Sequence, residues 1–157
     1  LDKNDKTMTT IKAGDKAPDF SLPNEKGVIT TLADFKGKKL VLYFYPKDDT
    51  PGCTAEACSL RDSYDRFLSE GYAVLGVSPD TEKKHIKFIE KYQLPFSLLA
   101  DTASKMCQDY GVWGLKKFMG REYMGVFRTT FIIDEKGIVT EVIDKVDTKE
   151  HAMQILG

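Results

Sequence analysis

The chain has 157 residues, long enough for one folded unit whose core needs no disulfide staples. A composition of 41% hydrophobic and 30% charged residues argues against a disordered chain, and a formal net charge of −1 leaves no global basic field for nucleic acid or an anionic membrane. No apolar run approaches the roughly 20 residues that span a bilayer, and three cysteines, an odd number, suit a reducing cytoplasm better than a disulfide framework.

At the start, Leu1-Asp2-Lys3-Asn4-Asp5-Lys6-Thr7 lacks the apolar centre of a signal peptide. Met8 reads as a natural start, and residues 1–8 as a disordered extension or an appended remnant. Residues 9–157 then form a single domain. Ala17-Pro18-Asp19-Phe20-Ser21-Leu22-Pro23 and Val28-Ile29-Thr30, joined through Glu25-Lys26-Gly27, read as a small N-terminal hairpin with Pro-marked edges. Residues 31–37 fit one helical turn, capped by Thr31 and ended by Gly37.

Residues 39–45 are a continuous apolar run that Pro46 ends, which predicts a buried strand. Ala57, Leu60, Tyr64, Phe67 and Leu68 then recur at helical steps and predict one helix running to Gly71. Residues 72–78 form a second continuous apolar run, the pattern of a parallel strand covered on both faces. Asp80 or Thr81 caps a helix over residues 82–92, with Ile86, Ile89 and Phe88 facing inward. Residues 96–100 are a third strand and residues 104–110 a short helix. Residues 111–126, rich in glycine, aromatics and lysine, read as a loop. Trp113, Phe118, Tyr123 and Met124 in it form either an apolar wall by a site or a cover for the sheet edge; Lys116 and Lys117 read as exposed. Residues 128–134 and 138–143, joined by Glu135-Lys136-Gly137, are the clearest hairpin, and a helix over residues 149–156 closes the chain. Alternating strands and helices followed by a hairpin predict an α/β fold of thioredoxin-like arrangement: a mixed central sheet with flanking helices and the small N-terminal hairpin.

The stretch with the most chemistry is Tyr45-Pro46-Lys47-Asp48-Asp49-Thr50-Pro51-Gly52-Cys53-Thr54-Ala55-Glu56-Ala57-Cys58. It turns a buried strand into a helix N-terminus, where backbone N–H groups and the helix dipole favour a thiolate. Pro51, Gly52 and Thr50 ahead of Cys53 predict that its sulfur lies off the buried face. Thr50 is placed to cap the helix and, compatibly with that, to set a hydroxyl near the sulfur; Pro46 and Pro51 restrict the loop. In an intact helix, residues five apart have Cα atoms about 8–9 Å apart, beyond the roughly 4.4–6.8 Å of a disulfide. Cys58 is therefore either a small packed residue or a partner that Cys53 reaches only if the helix unwinds. Cys107, between Met106 and Tyr110, reads as a core thiol. His85 and His151 share no ligand spacing with any cysteine, so no metal is expected.

Pro46-x-x-x-Thr50-x-x-Cys53 resembles the active-site signature of the peroxiredoxins, and the run from Tyr43 to Cys58 resembles the peroxiredoxin Q or bacterioferritin comigratory protein subfamily. Ala17-Pro18-Asp19-Phe20, Tyr110-Gly111-Val112-Trp113-Gly114, Gly120-Arg121 and Arg128-Thr129-Thr130-Phe131-Ile132-Ile133-Asp134 extend the likeness from about Ile11 to the C-terminus. The resemblance implies a thiol peroxidase acting on hydrogen peroxide and alkyl hydroperoxides. It implies Cys53 as nucleophile, Thr50, Pro46 and Arg128 around the reacting sulfur, and Cys58 as the cysteine that resolves the sulfenic acid. It further implies thioredoxin or a similar dithiol as reductant, a monomer or weak homodimer, and no cofactor. Two other readings remain at this point: a one-cysteine peroxidase in which Cys58 is structural, and a redox sensor or chaperone that uses peroxide as a signal.

Overall fold

A computed structural model of the protein describes residues 9–157; the expectation for residues 1–8 lies outside them. The N-terminal hairpin pairs β1 (Ser21–Pro23) with β2 (Ile29–Thr31) in antiparallel register. A 3₁₀ turn, Leu32–Phe35, follows, started by the Thr31 N–H donating to Asp34 Oδ2 at 2.9 Å and closed before Gly37.

The centre is a five-stranded sheet of order β5-β4-β3-β8-β9. Its strands are β3 (Lys39–Phe44), β4 (Tyr72–Ser78), β5 (Ser97–Ala100), β8 (Thr129–Ile133) and β9 (Val139–Ile143). β3, β4 and β5 run parallel, whereas β8 is antiparallel to both β3 and β9. The continuous apolar runs are explained by burial on two sides. Leu40, Leu42 and Phe44 of β3 enter one core layer with Phe131 and Ile133, while Val41 and Tyr43 enter the other with Ala57, Leu60 and Phe67. Burial of each such side chain stabilises the fold by ~1.5–3 kcal/mol.

The helices are α1 (Pro51–Asp62), α2 (Tyr64–Ser69), α3 (Glu82–Tyr92), α4 (Lys105–Asp109) and α5 (His151–Leu156). One helix was expected from the cysteines to Gly71, but the backbone leaves helical geometry at Ser63 (φ −108°, ψ 15°). The break resets the helical phase: Phe67 is buried in the core and Leu68, expected on the inner face, is 51% exposed. α3 differs similarly. Its inner face is His85 and Phe88, with Ile89 half-buried, whereas Ile86 points outward at 39% exposure. The helix is turned so that His85 can bond back to the sheet.

The segment read as a loop is instead an antiparallel hairpin, β6 (Trp113–Phe118) and β7 (Arg121–Val126). Its turn uses Met119 and Gly120, both at positive φ, the backbone of a tight hairpin. Phe118, Tyr123 and Met124 are exposed, and Trp113 alone of the four rests on the core. Lys116 is not simply exposed, for its Nζ donates to the Val126 carbonyl at 2.8 Å and lies over the Phe127 ring. Among the described residues no helix is long and apolar enough to cross a membrane.

Candidate active site

β3 delivers the chain to the carboxyl end of the sheet, and residues 46–50 turn it back into α1. That turn is fastened to α3. The Asp48 carboxylate accepts from the Tyr45 hydroxyl at 2.5 Å on one oxygen and faces His85 Nδ1 at 2.6 Å on the other. His85 Nε2 donates to the Leu99 carbonyl at 2.9 Å, so the buried ring bridges the turn to β5. The Asp48 N–H donates to Asp80 Oδ2. Asp49, at φ 55°, accepts from Lys91 Nζ and the Tyr92 hydroxyl at 2.8 and 2.7 Å. At the far end of α1, Arg61 Nη1 donates to the Tyr92 carbonyl. α3 therefore holds both ends of the helix that carries the cysteines.

Cys53 was expected off the buried face; it is 2% exposed and packed with the core. α1 descends onto the sheet so that Cys53, Glu56, Ala57 and Leu60 form its buried stripe, the i, i+3, i+4, i+7 face of a helix. Arg128, immediately before β8, lies across that stripe. Its Nη2 is 3.4 Å from Cys53 Sγ, and its Nη1 donates to Glu56 Oε1 at 2.8 Å. A guanidinium this close stabilises negative charge that develops on an atom attached to the sulfur.

Gly52 has a spatial role. A Cβ built there would stand 3.1 Å from Arg128 Nη2, so the guanidinium reaches the sulfur across a position without a side chain. Thr50 is the N-cap of α1, its carbonyl accepting from the Thr54 N–H at 2.8 Å. Thr50 Oγ1 donates to the Lys47 carbonyl at 2.9 Å, which ties the hydroxyl into the turn ahead of Cys53. Pro46 follows Tyr45 at the mouth of the turn, half-buried.

Cys58 sits on the same intact helix, half-buried, and all three cysteines are free thiols. The formed helix keeps Cys58 out of bonding range of Cys53. Cys107 is buried beside Asp101, whose carboxylate accepts from its N–H at 2.8 Å; burial above all, and that carboxylate, push its thiol far up into the neutral form. Among the described residues no group of His, Cys, Asp and Glu is placed to hold a metal ion.

Two residues join the site that sequence reasoning passed over. Glu56 is wholly buried, and burial raises its carboxyl to about 7 although Arg128 pulls the other way. Its helical register with Cys53 was the available signal, a carboxylate on an otherwise apolar stripe. His151 is also wholly buried, and its Nε2 stands 3.4 Å from Glu56 Oε2. No local pattern marks it, because only tertiary folding brings α5 to α1.

The chain matches the model of the AhpC/TSA family over residues 13–142. It is 50% identical to peroxiredoxin Bcp of Bacillus subtilis over 147 residues, covering 94% of each chain. It is 46% identical to peroxiredoxin Bcp of Escherichia coli K12, with 92% of each covered. Among solved structures, a Xanthomonas campestris bacterioferritin comigratory protein, studied for alkyl peroxide reduction, superposes with a TM-score of 0.82 at 35% identity over 87% of both chains. A cysteine-to-serine mutant of Xylella fastidiosa PrxQ superposes with a TM-score of 0.88 at 30% identity over 94% of both. The family model, these relatives and the shared fold place the chain in the AhpC/TSA family and, within it, in the peroxiredoxin Q/bacterioferritin comigratory group of thiol-dependent peroxidases, which reduce peroxides at the expense of a thiol reductant.

Proposed function

We propose that Cys53 is the residue that attacks the peroxide and that Cys58 resolves the product within the same chain. The observation that carries this is the convergence of Arg128 Nη2 on Cys53 Sγ at 3.4 Å, with the sulfur's residue almost wholly buried. In the first step the Cys53 thiolate attacks one peroxide oxygen. The S–O bond forms as the O–O bond breaks, the transferred oxygen keeps its hydrogen as the sulfenic acid, and the leaving hydroxide or alkoxide takes a proton from water. Arg128 stabilises the charge spread over sulfur and oxygens. Thr50 Oγ1, committed as a donor to Lys47, keeps lone pairs with which to accept from the peroxide O–H. Pro46 withholds a backbone donor and narrows the approach. Hydrogen peroxide and alkyl hydroperoxides are the substrates.

In the second step the Cys58 thiolate attacks the sulfenic sulfur; the S–S bond forms and hydroxide leaves as water. The start of α1 must unwind first, because the helix spans Pro51–Asp62 and separates the two sulfurs. Unwinding gives up the Glu56–Arg128 pair and the bond from the Ala152 N–H to Ser59 Oγ. A dithiol protein of the thioredoxin kind then reduces the disulfide by exchange and is itself oxidised. Residues 9–157 act as one domain, as a monomer or weak homodimer in a reducing cytoplasm, without nucleic acid, membrane or cofactor.

The test is thioredoxin-coupled peroxide consumption by the wild type, Cys53→Ser and Cys58→Ser, with intact mass after one equivalent of peroxide. Cys53→Ser should be inactive. Cys58→Ser should reduce one equivalent, gain the mass of one oxygen and then stall. Undiminished turnover of Cys58→Ser would overturn its resolving role and favour the one-cysteine reading.

A further inference from the structure

The Arg128–Glu56 pair continues one layer deeper, into the C-terminal helix. His151 is wholly buried, and the hydrogen-bond pattern fixes where its protons lie. Gln154 Oε1 accepts from the Asp147 N–H at 2.8 Å, and Gln154 Nε2 donates to the Lys145 carbonyl at 3.0 Å, so the amide has one orientation. His151 Nδ1 stands 2.7 Å from that same Oε1 and therefore carries a hydrogen. In the neutral ring Nε2 is then a lone pair. It faces both Thr130 Oγ1, at 2.7 Å, and Glu56 Oε2, at 3.4 Å, the latter an oxygen with no hydrogen-bond partner of its own.

A carboxylate oxygen against an imidazole lone pair, both out of water, is repulsive; one proton carried by either atom removes the conflict. Glu56 Oε1 remains an acceptor for Arg128 Nη1 in either case. We propose that His151 is a positioning residue: it keeps one proton in the gap between its Nε2 and Glu56, so that Glu56 orients Arg128 without drawing the guanidinium's charge away from Cys53.

The charge count gives the consequence. With the shared proton present the Glu56–His151 pair is neutral overall, and Arg128 faces a single anion, the Cys53 thiolate. Once the proton is lost, two anions compete for one half-buried guanidinium, and the thiolate is held less well. The groups that bear on this pair are Arg128 ahead of β8, Cys53 on α1, the Tyr43 hydroxyl from β3 and Asp147 ahead of α5. Burial pushes Glu56 up to about 7 and His151 down from its ordinary range, which places the loss of the proton close to neutrality.

This inference rests on Cys53 being the nucleophile. The experiment measures the single-turnover rate of the reduced protein with hydrogen peroxide, and the rate of iodoacetamide alkylation at Cys53, from pH 5 to 9. The variants are His151→Phe, Gln154→Ala, Glu56→Gln and His151→Phe/Glu56→Gln. The wild type should show a descending limb above neutral pH. His151→Phe, which removes the acceptor for the Glu56 proton, should move that limb about one unit toward acid, costing about tenfold in rate at pH 8 and little at pH 6. Gln154→Ala, which frees Nδ1 and lets Nε2 carry the hydrogen, should move it the same way. Glu56→Gln should lack the limb, and adding His151→Phe to it should leave the profile flat.

A limb that stays put in both His151→Phe and Gln154→Ala, or a His151→Phe rate lowered equally at every pH, overturns the proposal. So does a pH profile altered by His151→Phe when Glu56 is already Gln. Inactivity of Cys53→Ser concerns the underlying reading alone, since every other variant retains Cys53.

Discussion

The half-buried Arg128 pairs with the wholly buried Glu56, Nη1 to Oε1 at 2.8 Å, and the other arm of the same guanidinium lies 3.4 Å from Cys53 Sγ. One side chain thus closes the core and faces the Cys53 sulfur. Removing one partner of such a pair costs more than the pair itself contributes, because the other is left unsatisfied. Arg128→Met should lower the second-order rate with peroxide by about 10²–10³-fold. It should also destabilise the fold by ~1–3 kcal/mol, a loss that grows as rising pH ionises the abandoned Glu56. Stopped-flow kinetics and urea unfolding read the two effects separately.

The pH dependence of stability follows from Glu56. Its carboxyl is raised from 4.5 to about 7, first by burial. The folded state therefore holds this proton more tightly than the unfolded chain does. Its stabilising contribution is complete below about pH 4.5 and is lost as pH rises through about 7. His151 acts in the opposite sense, since burial lowers its pKa from 6.5. The measurement is consequently the difference between the wild type and Glu56→Gln. That difference should fall by ~2–3 kcal/mol between pH 4.5 and pH 8 in urea titrations.

Gly52→Ala tests the close approach of the guanidinium. The added methyl would meet Arg128 Nη2 at 3.1 Å, so the arginine must yield by a few tenths of an ångström. Activity should drop about tenfold, given how steeply rates depend on placement. Stability should change little, because Ala is the better helix former and offsets the crowding. A Gly52→Ala rate equal to the wild type would show that the arginine has slack.

Asp48→Ala should act through the turn. It strands the His85 ring and the Tyr45 hydroxyl, both buried partners of the Asp48 carboxylate. The expected loss of stability is ~2–4 kcal/mol. Hydrogen exchange should rise in residues 46–58 before it rises in β3.

Cys107 gives a control. Burial and the Asp101 carboxylate hold its thiol neutral, so in the native protein it should resist iodoacetamide at pH 8 while Cys53 is alkylated. Peptide mapping distinguishes the two, and Cys107→Ser should leave peroxide turnover unchanged.

Local features were legible in the sequence because local physics decides them. The continuous apolar runs of β3 and β4, the Gly-turned hairpins β1–β2 and β8–β9, the Thr81 cap of α3 and the strand-to-helix turn holding Cys53 each rest on neighbours within a few residues. So does the exclusion of a Cys53–Cys58 bond within a formed helix, which follows from rise and pitch.

Interactions between distant segments were decided only by the tertiary structure. Docking of α1 on the sheet buries Cys53, which the glycine and prolines before it had suggested would lie off the buried face. The break at Ser63 turned Leu68 outward. The β6–β7 hairpin carries exposed aromatics whose composition alone resembles a loop. The residues gathered at the Cys53 sulfur come from separate parts of the chain: Cys53 and Glu56 on α1, Arg128 before β8, His151 on α5. Burial governs the protonation of Glu56 and His151, and burial exists only once those segments have met.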